Sequence, residues 1–171
     1  MQFPAIVIVP AQSNNVVADV TRLMEPYDFA RTVPPRKEYV PQDELDYLLE
    51  VYGPYGLHRD NVEAVVAELE EDTGFECGHD EGGFWYMTTD NPQGKWDGWM
   101  LQSLQTDSWP ATAALPERLN PAAIVTPDGI WYDLEARWDM SDEQKEALRA
   151  RAAERLAQYP SHLAVLLHCH S

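Results

Sequence analysis

Two pairs of residues in this chain have the spacing of metal ligands. His168 and His170 are two positions apart, so in a β-strand both side chains would lie on one face. Cys77 and His79 repeat that spacing in an earlier segment. Zinc binds four nitrogen and sulfur ligands of this kind, so these four residues are candidate ligands. The same spacing also occurs in strands that bind no metal. We predict no cofactor, with zinc as the alternative.

The two cysteines are also candidate nucleophiles. Cys77 or Cys169 next to a histidine base would form the nucleophile–base pair of a thiol-dependent enzyme. The surroundings of a thiol decide its reactivity. The chain contains no Gly-rich phosphate loop, nucleophile elbow or His-Glu-x-x-His motif. Its carboxylates are too numerous to single out a catalytic pair. We therefore assign no catalytic residue and keep a metal- or Cys/His-dependent enzyme acting on a nucleotide or signal molecule as the alternative.

The distribution of charge is the most informative pattern. The chain has 29 acidic residues against 12 Lys and Arg, a net charge of −17. From Asp43 to Glu81 there are 13 acids and one base, Arg59. Proteins that bind nucleic acid or anionic membranes do so through basic patches, so we predict neither partner. A dense acidic face either keeps the surface hydrated or steers the protein toward a basic partner surface.

Two predicted helices carry this charge. The first helix is predicted over about residues 42–52, with leucines on its buried face, and Gly53 and Pro54 end it. The second helix starts at Asp60, which has the spacing of a capping residue with Glu63, and ends at Gly74. The acids lie opposite the apolar faces. The predicted partner-binding acids are Asp43, Glu44, Asp46, Glu50, Glu63, Glu68, Glu70, Glu71 and Asp72.

The tryptophans provide a second set of candidate partner-binding residues. All six fall between Trp85 and Trp138. We predict a β-hairpin with strands at 84–89 and 95–102 and a turn at 90–94. Alternation along the hairpin prevents one core from burying every ring. Because Trp is enriched at interface hot spots, Trp96 and Trp99 are predicted partner anchors.

The remaining elements complete an α+β domain. Apolar runs predict buried strands at 3–9 and 163–169, adjacent in the centre of the sheet. Helices are predicted at 16–24 and from Ser141, which opens a capping box, to Tyr159. A second hairpin spans 122–134 around Thr-Pro-Asp-Gly. We predict one domain over 1–171, with an acidic helical segment at about 42–74. Its mixed or antiparallel sheet has about five to seven strands, with helices packed on one face.

Sequence features also predict the compartment. No run approaches the roughly 18 uncharged apolar residues of a membrane span, and the first residues lack the basic region and cleavage site of a signal peptide. Two cysteines cannot build a disulfide framework. We expect a cytoplasmic protein with free thiols.

Several segments, taken in order, resemble an uncharacterised family of small proteins encoded by bacteriophages and prophages of high-GC bacteria. They read IVIVP, LMEPYDF, TTDNPQGKWDGW, AIVTPDGIWY and LLHCHS. The most specific matches are Asn91-Pro92, Lys95-Trp96-Asp97, Trp99, residues 126–129, Trp131 and Cys169-His170. Where relatives have Ile-Gly-Gly-Arg-Trp, this chain has residues 100–104, Met-Leu-Gln-Ser-Leu. The resemblance implies a phage context, in the cytoplasm of the host cell, and not a reaction.

Charge and resemblance together suggest a phage-encoded accessory protein that binds a host protein or complex with a basic surface. Its acidic surface would act as a nucleic-acid mimic against a nucleic-acid-processing defence complex, as an anti-CRISPR or anti-restriction inhibitor does. A phage structural or assembly factor is a further alternative. The sequence leaves the oligomeric state open.

Overall fold

The computed structural model describes residues 2–137 and 139–171, so Met1 and Trp138 lie outside the described residues. The chain packs as two compact units. The first contains the residues up to Arg31 together with Asn91–Ser171, and the second contains Thr32–Asp90. The sequence predicts one domain over 1–171 and contains no signal for this division. The acidic helical segment lies within the second unit.

The described residues form nine strands and four α-helices. The strands are Gln2–Pro10 (β1), Arg36–Tyr39 (β2), Cys77–Asp80 (β3), Gly83–Thr88 (β4), Gly98–Met100 (β5), Ser108–Pro110 (β6), Ala123–Val125 (β7), Trp131–Asp133 (β8) and His162–His170 (β9). The α-helices are Val16–Met24 (α1), Gln42–Tyr52 (α2), Val62–Thr73 (α3) and Asp142–Ala157 (α4), with short 3-10 turns at Glu25–Tyr27 and Gly53–Tyr55. The predicted α+β class is confirmed.

The first unit is built on the pairing of β1 with β9. The two strands run antiparallel over their whole length, from Gln2 opposite His170 to Pro10 opposite His162. On its other side β1 pairs with β7 in parallel, and the order of the mixed sheet is β5-β9-β1-β7-β8, with β6 also on β9. The predicted central position of the first and last strands is confirmed.

Helices cover both faces of this sheet, and the prediction of helices on one face is wrong for this unit. Every residue from Ala5 to Val9 is fully buried. The odd-numbered residues of this run, such as Val7, lie on one face of β1 and pack in a cluster with Leu23 of α1. The even-numbered residues, such as Ile6, lie on the other face and pack in a cluster with Leu148 of α4. A strand that is apolar at consecutive positions needs cover on both sides because its side chains alternate.

The second unit has a core of its own. Its sheet has the order β2-β4-β3 and is antiparallel. Leu45 and Leu48 of α2 join Val65 and Leu69 of α3 in a buried cluster with Phe84 of β4. Both helices therefore bury the apolar faces that the sequence predicts.

The predicted hairpin at 84–102 is wrong. Strand β4 pairs with β2 and β3 in the small sheet, whereas β5 pairs with β9 in the large one. The actual turn precedes β4. Asp80 lies opposite Gly83, Gly83 has φ 115°, and the Asp80 carboxylate accepts a hydrogen bond from the Gly82 N–H. A glycine that allows positive φ makes this turn tight, and the sequence did not predict a strand at the position of β3.

The second predicted hairpin is confirmed, with β7 and β8 antiparallel. Gly129 has φ 81°, and its N–H donates to the Thr126 carbonyl. The capping box of Ser141 at α4 is also confirmed. The predicted cap of α3 is off by one residue, since the side chain of Asn61, and not Asp60, accepts from the Ala64 N–H. None of the helices in the described ranges has the length and hydropathy needed to cross a bilayer.

Asn91 fastens the segment that follows α1. Its side chain is 8% exposed, and its amide donates to the carbonyls of Pro26 and Asp28 at 2.7 and 2.8 Å. Its side-chain oxygen accepts from the Gln93 N–H. One side chain thus satisfies three backbone groups from two segments, which explains the use of Asn at this position.

We expect Asn91→Ala to lower the free energy of unfolding of the protein by about 2 kcal/mol, because two carbonyls lose their donors. Gln93→Ala, at an exposed neighbouring position, should change it by less than about 0.5 kcal/mol. Chemical denaturation of the two variants tests this. Equal effects of the two substitutions would contradict the bracing role of Asn91.

Candidate functional site

The second unit concentrates the negative charge of the protein. Thr32–Asp90 contains fifteen acids and three bases, which accounts for −12 of the net −17. All three bases are already paired with acids of the same unit. Arg59 lies 2.6 Å from Asp46, and the other two pairs are Lys37 with Asp80 and Arg36 with Glu38. Among the described residues, the other twelve acids of this unit have no ion-pair partner.

The helices place these acids on the surface. Of the nine predicted partner-binding acids, all are exposed except Glu68, which is half-buried. Two of them make contacts within the unit: Asp46 pairs with Arg59, and Glu70 accepts a hydrogen bond from the Cys77 N–H at 3.3 Å. The acidic face that the sequence predicts on α2 and α3 is therefore present as a surface.

The end of α3 places acids where a helix disfavours them. Glu70, Glu71 and Asp72 lie in its last turns, and the last turn contains no basic residue. The carbonyl groups at a helix C-terminus carry partial negative charge, and an acid there costs about 0.3–1 kcal/mol. A basic partner group at this end would relieve that repulsion.

The two tryptophans predicted as anchors lie in the other unit and are not exposed anchors. Trp96 is 7% exposed and belongs to the buried cluster that contains Val7 and Leu23. Trp99 is partly buried against the same cluster. Because β5 joins the large sheet instead of a hairpin with β4, the Trp96 ring is part of the core.

Different aromatic residues are exposed in the acidic unit. Tyr47 is 69% exposed, Tyr55 86%, Tyr39 47%, and Val51 39%. Tyr47 and Val51 are one helical turn apart on α2, away from the buried Leu45. The sequence contained a signal for Tyr47 and Val51, because the leucine periodicity of α2 assigns both positions to the outer side of the helix.

A groove of about 590 Å³ lies beside these two residues, between α2, the end of α3 and β4. We call it the α2 groove. Buried side chains at its base include Leu48 and Leu69, and Tyr86 of β4 also lines it. Burial raises the pKa of the Tyr86 phenol, and the negative charges of Glu38 and Glu44 raise it further. The remaining lining residues are Val40, Asp43, Glu44, Tyr47, Val51, Tyr52, Asp72 and Thr73.

The four candidate zinc ligands do not come together in the part of the chain that the structure describes. Within residues 2–137 and 139–171, no group of three or more His, Cys, Asp or Glu side chains is arranged to hold a metal ion. Cys77 packs in the core of the second unit, and the His79 ring lies 4.6 Å from that of Phe84. His168 and His170 lie on β9 in the first unit, where the His170 ring is 3.0 Å from the Gln2 amide.

The thiols have the properties of structural cysteines. Both are free and buried. Burial raises the pKa of Cys169 to about 12, and burial is also the main cause of the raised pKa of Cys77. Since the thiolate is the nucleophile, raised pKa values disfavour the thiol-enzyme interpretation.

Several motifs of the phage-family resemblance meet at a second cavity, of about 500 Å³, in the first unit. Pro92, Lys95, Gly129 and Trp131 are among its lining residues. The Lys95 ammonium lies 3.1 Å from the Asp133 carboxylate, which also accepts from the Trp131 indole N–H at 2.7 Å. The two charged groups that line this cavity thus pair with each other, and the pair joins the segment around Lys95 to β8.

Comparison with protein-family models, with curated proteins and with solved structures found no match to this chain. The resemblance to the phage family therefore stays a prediction that depends on the quoted motifs. The fold and the surface together define an α+β protein with a separately packed acidic unit.

We expect both cysteines to react slowly with an aromatic disulfide reagent at neutral pH in the native protein, and both to react rapidly after denaturation. The reason is that each thiol is buried and protonated. The measurement is the number of thiols labelled over time. Fast stoichiometric labelling of native Cys77 or Cys169 would support the enzyme alternative.

The Cys169 thiol also predicts a pH dependence. Its pKa in the folded state, about 12, lies above the ordinary value of 9.0, so its protonated form stabilises the fold fully below about pH 9. This contribution is lost as the pH rises toward 12. We expect the unfolding free energy of the native chain to decrease more steeply over that range than that of Cys169→Val. Parallel slopes would contradict the assigned burial.

Proposed function

We propose that this protein acts by binding a partner protein through the acidic face of α2 and α3. The observation that carries the proposal is the set of twelve acids in Thr32–Asp90 that lack an ion-pair partner among the described residues, including three at the end of α3. Lysine and arginine side chains of a partner would complete those pairs. A surface of this density also accelerates encounter with a basic partner.

The chemistry of the face favours a partner that normally binds nucleic acid. A basic nucleic-acid channel presents Lys and Arg spaced for phosphates, and carboxylates displayed on two helices compete for the same groups. We therefore propose inhibition of a nucleic-acid-processing complex, of the anti-CRISPR or anti-restriction type. The motif resemblance adds a phage origin and action in the cytoplasm of the host cell. No chemical step is required of the protein.

The test compares two triple variants that lose equal charge. One replaces Glu50, Glu63 and Glu71 by Gln on α2 and α3, and the matched control replaces Glu143, Glu146 and Glu154 by Gln on α4. All six are exposed, and none has a side-chain hydrogen bond or ion pair among those described. We expect the first variant to lose about tenfold in affinity for a captured nucleic-acid-processing complex, at roughly 0.2–1 kcal/mol for each exposed pair. The control should bind like the native protein.

Affinity purification from a high-GC host lysate, followed by titration of the captured complex at low and physiological salt, gives these values. The complex should weaken as salt increases because screening acts on exposed charges, and its nucleic-acid binding should be inhibited. Equal losses in the two triple variants would assign the effect to net charge and contradict the proposed face. Failure to capture any such complex at either salt would contradict the function.

A further inference from the structure

The α2 groove combines exposed apolar side chains with a cavity, which charge alone does not require. Tyr47 and Val51 stand at its lip, 69% and 39% exposed, and Leu48 and Leu69 lie at its base. A solvated acidic helix would carry polar residues at both lip positions. Its volume of about 590 Å³ is within the range of binding pockets. The groove therefore has the shape and composition to receive an apolar side chain.

Acids surround this apolar floor. Asp43 and Glu44 line the groove from the first turn of α2, and Asp72 lines it from the last turn of α3. None of the three has an ion-pair partner among the described residues. An acidic peptide or a phosphate chain would be repelled at this rim, whereas Lys or Arg flanking an apolar side chain would be attracted.

We infer that the α2 groove binds a short basic segment of the partner, in which one large apolar side chain is flanked by Lys or Arg. The apolar side chain contacts Tyr47, Val51 and the base of the groove, and the flanking cations contact Asp43, Glu44 and Asp72. This inference rests on the proposed function and deepens it by naming the chemistry of the element that is recognised. A second copy of this chain is not the expected occupant, because the acids at the rim would repel its own net charge of −17.

Three synthetic peptides test the inference on the full-length protein. The first has a central Trp within a Lys/Ala sequence, the second replaces that Trp by Ala, and the third keeps Trp but replaces every Lys by Glu. Fluorescence anisotropy gives the three affinities, and NMR shift changes at Tyr47 and Val51 locate the site. We expect the first peptide to bind about tenfold more tightly than the second, since burial of a large apolar side chain is worth that factor or more. The third should not bind.

Variants of the lip separate the groove from the surrounding charge. Tyr47→Ser with Val51→Ser should abolish the difference between the first two peptides and leave the affinity of the second unchanged. Val51→Ser alone gives an intermediate loss and serves if the double variant does not fold, as judged by circular dichroism. Tyr55→Ser is the matched control, because Tyr55 is 86% exposed and does not line the groove; it should keep the tenfold difference.

The outcomes distinguish the two proposals. If the first two peptides bind equally well to the native protein, the groove inference is overturned and the acidic-face function stands. If neither binds, at low or physiological salt, both are contradicted. Binding of the Glu peptide as tight as that of the Lys peptide would overturn the assigned charge of the occupant.

Discussion

The antiparallel pairing of β1 with β9 is the interaction on which the first unit depends. It joins nine consecutive residue pairs from the two ends of the sequence, and residues 5–9 of β1 are fully buried, as are Ala164, Val165, Leu167 and Cys169 of β9. Side chains on both faces must be covered, so α1 takes one face and α4 the other. The sheet extends outward from this pair with short strands of three residues, β5 and β6 on β9 and β7 on β1.

Because this sheet and its two helices form a core without residues 32–90, the inserted segment needs a core of its own. Phe84 and the leucines of α2 and α3 provide it. Only one face of each helix is used in that core, and the opposite faces are then available for charge. The division of each helix into a buried apolar face and an exposed charged face explains how fifty-nine residues tolerate a net charge of −12. The carboxylates that repel one another are exposed to water, whose high dielectric constant weakens the repulsion.

Charge and apolar exposure have different consequences on this surface. The carboxylates favour encounter with basic proteins in general, and a diffuse field of this kind provides little discrimination among them. The α2 groove adds shape, because an apolar side chain contributes only where a matching cavity exists. Together they would provide the long-range attraction and the short-range selection that a specific partner requires. The buried thiols, in contrast, belong to the packing of the two units, and the histidines take part in no metal-binding group among the described residues.

Local interactions allowed much of this structure to be predicted from the sequence. The Ser141 capping box, the Thr-Pro-Asp-Gly turn and the leucine periodicity of α2 act within a few residues, so their pattern determines the element whatever surrounds it. The same reasoning placed the acids of the candidate face on the outer sides of two helices. Even the adjacency of the first and last strands followed from their continuous apolar runs.

Only the tertiary structure decided the remaining features, because each depends on contacts between distant segments. Whether residues after Thr88 turn back on β4 or join β9 depends on which sheet offers a free edge, and that choice buried Trp96. The exposure of Tyr47 beside a cavity depends on how α2 packs against α3 and β4. The sequence by itself determined the helices, their charge and the apolar strands; the pairing of segments decided which aromatic residues face water and which of them line the α2 groove.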